Sequence, residues 1–290
     1  MEVGVRLPHT GARAAPEFIR EWCTTAEGLG FDSLWGVDHV VMPRRVASKY
    51  TLPRRPATIA DDAVSELLAP NFELVTTLAY VAALTERIKL GTAVAVLPIR
   101  NAVLNARQLA TIDRYSNGRV VLGVGAGWLE EEADAMGMPW DRRGARTDEH
   151  IELLRAIWTA PGRHVEFHGE FWDIPPMDPE PRPVQRPIPI LIGGHSEVAL
   201  DRAVRLGDGW IAAAMSSDRL SELLPLLRRA ADRHDRDPSS LLVYCGAPAG
   251  VTRTDGLQQY ADLGVHSVQI ALETIDDLKR FAEGVLPRLR

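Results

Sequence analysis

Cysteine is nearly missing from this chain of 290 residues: Cys23 and Cys245 are too far apart to form a metal or redox spacing, and both are expected to be buried and inert. Lysine is almost as scarce. Lys49, Lys89 and Lys279 are the only three, none placed where a Schiff-base barrel enzyme would need one. No segment approaches the roughly 18 uninterrupted apolar residues of a membrane span, and MEVGVRLPHT carries no apolar stretch behind a basic start. A cytoplasmic protein with no membrane partner is therefore expected. Basic blocks are absent as well, and the formal net charge is −6, so the electrostatic footprint needed to hold a phosphate backbone is missing and nucleic acid is not expected as a partner. No G-x-S-x-G nucleophile elbow occurs. His164 and His168 have the spacing of a helical metal pair but lie in a strand-like stretch, so no metal site is expected.

What is present is an alternation. Short β-branched runs at Val3 to Leu7, Ser33 to Gly36, Ile88 to Val96, Val120 to Val124, Ile188 to Ile192, Gly209 to Ala213, Leu241 to Cys245 and Ser267 to Leu272 are each followed by a longer amphipathic stretch. The first such stretch begins at Pro16, repeats Phe18, Trp22, Ala26 and Leu29 at spacings of three and four, and stops at Gly30. Others are expected at 72 to 84, 103 to 115, 147 to 158, 196 to 206, 218 to 235, 255 to 263 and 275 to 287; Thr274 and Asp277 form a capping box for the last. Pro225 must lie in the first turn of its helix or kink it. Eight such pairs predict an α/β fold, a (β/α)8 TIM barrel spanning 1–290 as one domain, rather than an open sheet, since no GxGxxG follows the first strand. Two excursions break the rhythm: 37 to 71 after the second strand, with Arg44, Arg45, Arg54 and Arg55, and 159 to 187 before the fifth, with a hairpin at His164 to Ile174.

Barrel enzymes work at the C-terminal ends of their strands. Asp38 and His39 follow the second strand there. A histidine so placed can move a proton near neutral pH, with an adjacent carboxylate fixing its tautomer, or the pair can simply pack. Gly123, Gly125 and Gly127 run out of the fourth strand ahead of Trp128, letting something flat approach the backbone or making a tight turn. Glu130, Glu131 and Glu132 read as an acidic first helical turn rather than an acid/base cluster. Gly193 and Gly194 end the fifth strand, and a helix opens at Ser196, giving free amides at 194 to 197 that suit a phosphate or an ordinary serine cap. His195 stands at that mouth, with Arg202 and Arg205 as candidate countercharges.

Taken in order, LGFDSLWGVDHVVMP, ERIKLGTAVAVLPIRNAVLNARQLATID, GRVVLGVGAGWLEEEADAMG, RRGARTDEHIELLRAIW and GGHSEVALDRAVRLGDGW resemble the luciferase-like monooxygenase superfamily over nearly the whole chain. Within it, the short branch that uses the deazaflavin coenzyme F420 is the nearer likeness. The resemblance implies that Asp38 and His39 lie at the cofactor, His39 beside the reactive ring carbon. It also implies a bulged third strand with a cis peptide at Ala93-Val94 behind the ring, and the coenzyme's phosphate on Gly193, Gly194, His195 and Ser196. One departure stands out: Trp128 occupies the position where the deazaflavin sugar-phosphate dehydrogenases carry a catalytic Glu, so it is expected to wall the substrate pocket, with neither Glu131 nor Glu132 filling the role. The expected activity is hydride transfer between F420 and an unsaturated or carbonyl-type small molecule. The alternatives are an FMN-dependent monooxygenase and a non-catalytic flavin-binding relative. Superfamily members are often dimers, so the resemblance extends to a homodimer.

Overall fold

The computed structural model describes residues 1–44, 46–48 and 69–289; Arg45, Lys49, Arg54 and Arg55, and with them much of the first excursion, lie outside these. Strands β1 (Glu2–Arg6), β2 (Ser33–Gly36), β3 (Lys89–Thr92), β4 (Ala95–Val96), β5 (Val120–Gly125), β8 (Ile190–Gly193), β9 (Gly209–Ala212), β10 (Leu242–Gly246) and β11 (Ser267–Ile270) form one parallel sheet. It closes because β3 pairs with β5 as well as β2, while β4 continues the third strand along β5 after a break at 93 and 94. The result is the expected eight-position barrel, its third position split by a bulge. The antiparallel hairpin β6 (Val165–His168) and β7 (Asp173–Met177) stands apart from it, in the second excursion.

Alternation decides which side chains go where. Val3, Val5, Leu34, Leu90, Leu122, Ile190, Ile192, Val268 and Ile270 face outward into the layer between sheet and helices. Trp35, Val121, Leu191, Ile211 and Tyr244 fill the barrel itself. The indole of Trp35 needs space, and two inward glycines supply it: a Cβ on Gly91 would stand 2.2 Å from the ring, and one on Gly4 2.6 Å from its Nε1. That Nε1 is satisfied by Ser33 Oγ at 2.7 Å, and Tyr244 meets the indole edge-on at 5.6 Å.

The helices are α1 (Pro16–Gly28), α2 (Leu74–Leu84), α3 (Ala102–Tyr115), α4 (Glu130–Ala135), α5 (Arg143–Thr159), α6 (Glu197–Leu206), α7 (Ser217–Arg233), α8 (Thr254–Asp262), α9 (Ile275–Gly284) and α10 (Leu286–Leu289). Gly30 takes φ 86° just past α1, the left-handed position its sequence placed there. The Thr274–Asp277 capping box is formed. Pro225 is in the interior of α7 instead of its first turn. Cys23 and Cys245 are buried thiols, and burial pushes Cys245 up to about 12. The excursion before β8 is held by two carboxylates: Glu149 on α5 accepts the amides of Glu170, Phe171 and Trp172 at 2.7–2.8 Å, and Asp113 on α3 those of Val184 and Gln185 at 2.8 and 3.0 Å. Gly169 at that turn has no room for a Cβ, which would come 2.2 Å from the Glu149 oxygen. No helix of the described residues is long and apolar enough to cross a membrane.

Candidate active site

The loop leaving β2 carries the first cluster. His39 Nδ1 lies 3.0 Å from Glu132 Oε2 on α4, with side-chain exposures of 12% and 2%. A carboxylate only accepts, so Nδ1 holds the proton, and Nε2 is left to take or give one. Glu132 is fixed in turn, because its Oε1 accepts the amides of Val40 at 2.6 Å and Val41 at 3.3 Å. Asn71 donates to the carbonyl of His39 at 2.6 Å, tying the far end of the excursion to the same point. Trp128 stands edge-on to the His39 imidazole, 6.0 Å between centroids.

Glu130, Glu131 and Glu132 form the acidic first turn of α4, as the sequence suggested. Two of them do more: Glu132 is buried against His39, and Glu131 accepts from the amides of Ala47 and Ser48 and the Ser48 hydroxyl. The carboxylate fixing the His39 tautomer is therefore Glu132, and adjacent Asp38 has other work. Asp38 turns beneath the loop, where Oδ2 accepts the Val96 amide at 2.8 Å and both oxygens engage Arg100, at 3.1 and 2.5 Å. Arg100 also reaches Glu73 at 2.9 Å. Burial opposes its charge, but the two carboxylates hold its guanidinium above the usual range. Asp38 thereby clamps the exit of β2 to the residues just past the third-strand bulge.

The bulge is the second cluster. The Ala93–Val94 peptide is cis. The glycine run of β5 answers it: a Cβ on Gly123 would stand 2.1 Å from the Thr92 carbonyl oxygen, one on Gly125 2.7 Å from Val94 Cγ2, and one on Gly127 2.8 Å from Val96 Cγ1. Gly193 on the other side would meet Val94 Cγ1 at 2.9 Å. The alternating glycines thus admit the neighbouring strand, a close approach to the backbone of the kind the sequence suggested. What they allow is the bulge itself, leaving half-buried Ala93, Val94, Gly125 and Gly193 as an apolar shelf at the barrel mouth.

The third cluster continues from Gly193. Gly194 takes φ 111°, which L side chains rarely adopt, and its missing Cβ leaves room for Ala199. Ser196 caps α6, accepting from the Ala199 amide at 3.2 Å. The amides of Glu197 and Val198 in the first turn have no intrahelical partner by geometry and point outward at the positive helix end. His195 Nε2 is buried with no hydrogen-bond partner among the described residues; burial, and after it Arg219, hold this imidazole below its ordinary value. Arg202 and Arg205 are not available as countercharges, since both are engaged by Asp148. No cluster of three or more His, Cys, Asp or Glu suited to a metal occurs among the described residues, and His168 is paired with Asp173 on the exposed hairpin.

Shelf, helix mouth and oriented histidine all lie at the C-terminal ends of the strands, and their residue types fit a flat, anionic cofactor. A family model described as luciferase-like monooxygenase matches residues 1–260. An uncharacterized protein of Mycobacterium tuberculosis is 34% identical over 98% of this chain and 100% of its own length. An F420-dependent glucose-6-phosphate dehydrogenase of Amycolatopsis mediterranei is 30% identical over 76% of this chain and 61% of its own. An FMNH2-dependent dimethylsulfone monooxygenase of Pseudomonas putida is 37% identical over 51% of this chain and 41% of its own. Among solved structures, an F420-dependent secondary alcohol dehydrogenase bound to an F420-acetone adduct superposes with a TM-score of 0.79 at 16% identity, covering 100% of this chain and 99% of that one.

Proposed function

Because the chain belongs to the luciferase-like monooxygenase family, we propose that it is an oxidoreductase that transfers a hydride between coenzyme F420 and an unsaturated or carbonyl-type small molecule. The deazaflavin, when bound, supplies or accepts the hydride at C5. Everything else is done by the chain. The Ala93–Val94 bulge backs the ring on the shelf of Gly125 and Gly193, and the amides around Gly194 to Ser196 receive the phosphate. His39 Nε2 gives a proton to the substrate oxygen as the carbonyl carbon is reduced, and takes one back in the oxidative direction. Glu132, accepting from Nδ1, orients the imidazole and stabilises its cationic form. Trp128 presents aromatic surface where the sugar-phosphate dehydrogenases carry a carboxylate, which favours an uncharged substrate.

The observation that carries this reading is the His39–Glu132 pair at the mouth: it orients the imidazole through Nδ1 and leaves Nε2 for proton transfer. The likeness to the dimethylsulfone monooxygenase supports a second reading, FMN-dependent oxygenation. Anaerobic assays with reduced F420 and a panel of ketones, aldehydes and enones separate the two. Oxidation of F420 without oxygen is expected; oxygen uptake with reduced FMN, and no turnover of F420 in either direction, would replace the first reading with the second.

A further inference from the structure

Among the residues lining the barrel is a carboxamide whose nitrogen has no partner among the described residues. Val268 and Ile270 face the helices, so Ser267 and Gln269 of β11 point inward. Gln269 is 6% exposed, and its Nε2 is buried without a hydrogen-bond partner among the described residues. Exchanging the amide oxygen and nitrogen would leave the same problem, with an acceptor stranded in place of a donor. Elsewhere inside the barrel Trp35 Nε1 is matched by Ser33 and Lys89 by Glu2, while Ser267 Oγ, at the opposite end of β11, is also without a partner among the described residues.

Position says what the amide is for. Gln269 is in register with glycines on both sides, Gly4 of β1 and Gly246 of β10. Gly246 is the last residue of its strand, half-buried at the mouth, and a Cβ there would lie 3.7 Å from Gln269 Oε1. On the β10 side the carboxamide is thus flanked by a glycine at the mouth. Its backbone is pinned, because the Ala247 amide donates to the Gln269 carbonyl at 2.8 Å. A carboxamide offers one donor and one acceptor side by side, the complement of a cyclic imide edge, in which a carbonyl adjoins an N–H.

Resting on the cofactor reading above, we propose that Gln269 is a binding residue at the floor of the site, pairing with the imide edge of the ring cofactor, which deazaflavins and flavins share. The pairing would fix how deep the ring sits against the bulge.

The test is fluorescence titration of the purified protein with F420 and, separately, with FMN, using wild type and the near-isosteric Gln269→Met, alongside ligand-free thermal midpoints. Gln269→Met is expected to melt at or above wild type, because it removes an unsatisfied buried amide. Its Kd for whichever ring binds is expected to rise about tenfold, the loss of roughly one hydrogen bond. The N3-methylated form of that ring, which lacks the imide N–H, should bind wild type about tenfold less well and lose little further in Gln269→Met. An unchanged Kd in Gln269→Met, or equal discrimination against the N3-methyl ring by both proteins, overturns the inference and leaves the cofactor reading standing. Wild type binding neither ring overturns both.

Discussion

The two ends of the barrel are built from similar residues put to opposite uses. At the N-terminal end, Lys89 pairs with Glu2 at 2.5 Å, Asp32 accepts the Val3 amide, and Glu27 gathers the amides of Glu86, Arg87 and Ile88. A pocket of about 400 Å³ opens among these groups, yet each of its carboxylates accepts a hydrogen bond from the chain. At the C-terminal end the hollow is floored by glycines, and polar atoms stay uncommitted: His195 Nε2 and Gln269 Nε2 have no partner among the described residues, and His39 is held through one nitrogen. A depression is thus by itself a poor guide to function. Unpartnered buried atoms occur at both ends, Glu2 Oε2 and Ser267 Oγ at the first, but only at the C-terminal end do they stand beside a glycine shelf, an open helix terminus and an oriented histidine.

The sharpest way to break this contrast is at the histidine. His39→Ala is expected to lower turnover about 10²- to 10⁴-fold, the usual weight of a positioned acid/base group. Glu132→Gln, which exchanges a charge-assisted bond for a neutral one, should cost only about tenfold. Steady-state kinetics on F420 oxidation checks both, and a His39→Ala enzyme as fast as wild type would move the proton transfer elsewhere. Stability draws the next line. Arg100→Met strands the buried Asp38 and is expected to destabilise the protein by about 3–5 kcal/mol, whereas Lys89→Met at the half-exposed pair below should change it by no more than about 1 kcal/mol. Urea denaturation of the two variants gives the comparison directly, and similar midpoints would contradict it.

The smallest effect is a pH slope. His150 on α5 is fully buried, and its pKa falls from 6.5 to about 3, chiefly through burial, with Arg100 adding to the fall. Its folded pKa is below its unfolded value, so between these pH values the unfolded chain binds more protons. The stability gained by keeping the ring neutral is complete above pH 6.5 and drains away as pH falls toward 3. The slope from this group is at most about 1.4 kcal/mol per pH unit. His9 and His195, also lowered chiefly by burial, add in the same direction. Unfolding free energies at pH 5 and pH 7 should differ less in His150→Phe than in wild type; equal differences would rule out this histidine as a contributor.

The barrel was legible because its signals are local. β-Branched runs, the capping box and the glycine after α1 each act within a few residues, and all appear where the sequence put them. His39 was legible from its place past β2. The partners were not, because they come from far along the chain: Arg100 is 62 residues from Asp38, and Glu132 is 93 from His39. A clue to Glu132 was present all the same. Leu129, Glu132, Ala133 and Met136 share one face of α4, and a carboxylate on a buried face requires a partner. What the glycine run admits was hidden for a different reason. Gly123, Gly125 and Gly127 stand against Thr92, Val94 and Val96, a match that becomes visible only once the register of the two strands is known.

The central claim, that the C-terminal mouth binds the cofactor, is tested most directly by hydrogen–deuterium exchange of the wild-type protein with and without saturating F420. Protection is expected around residues 38–41, 93–96 and 193–198. Protection confined to 27–32 and 86–89, the walls of the pocket at the other end, would contradict it.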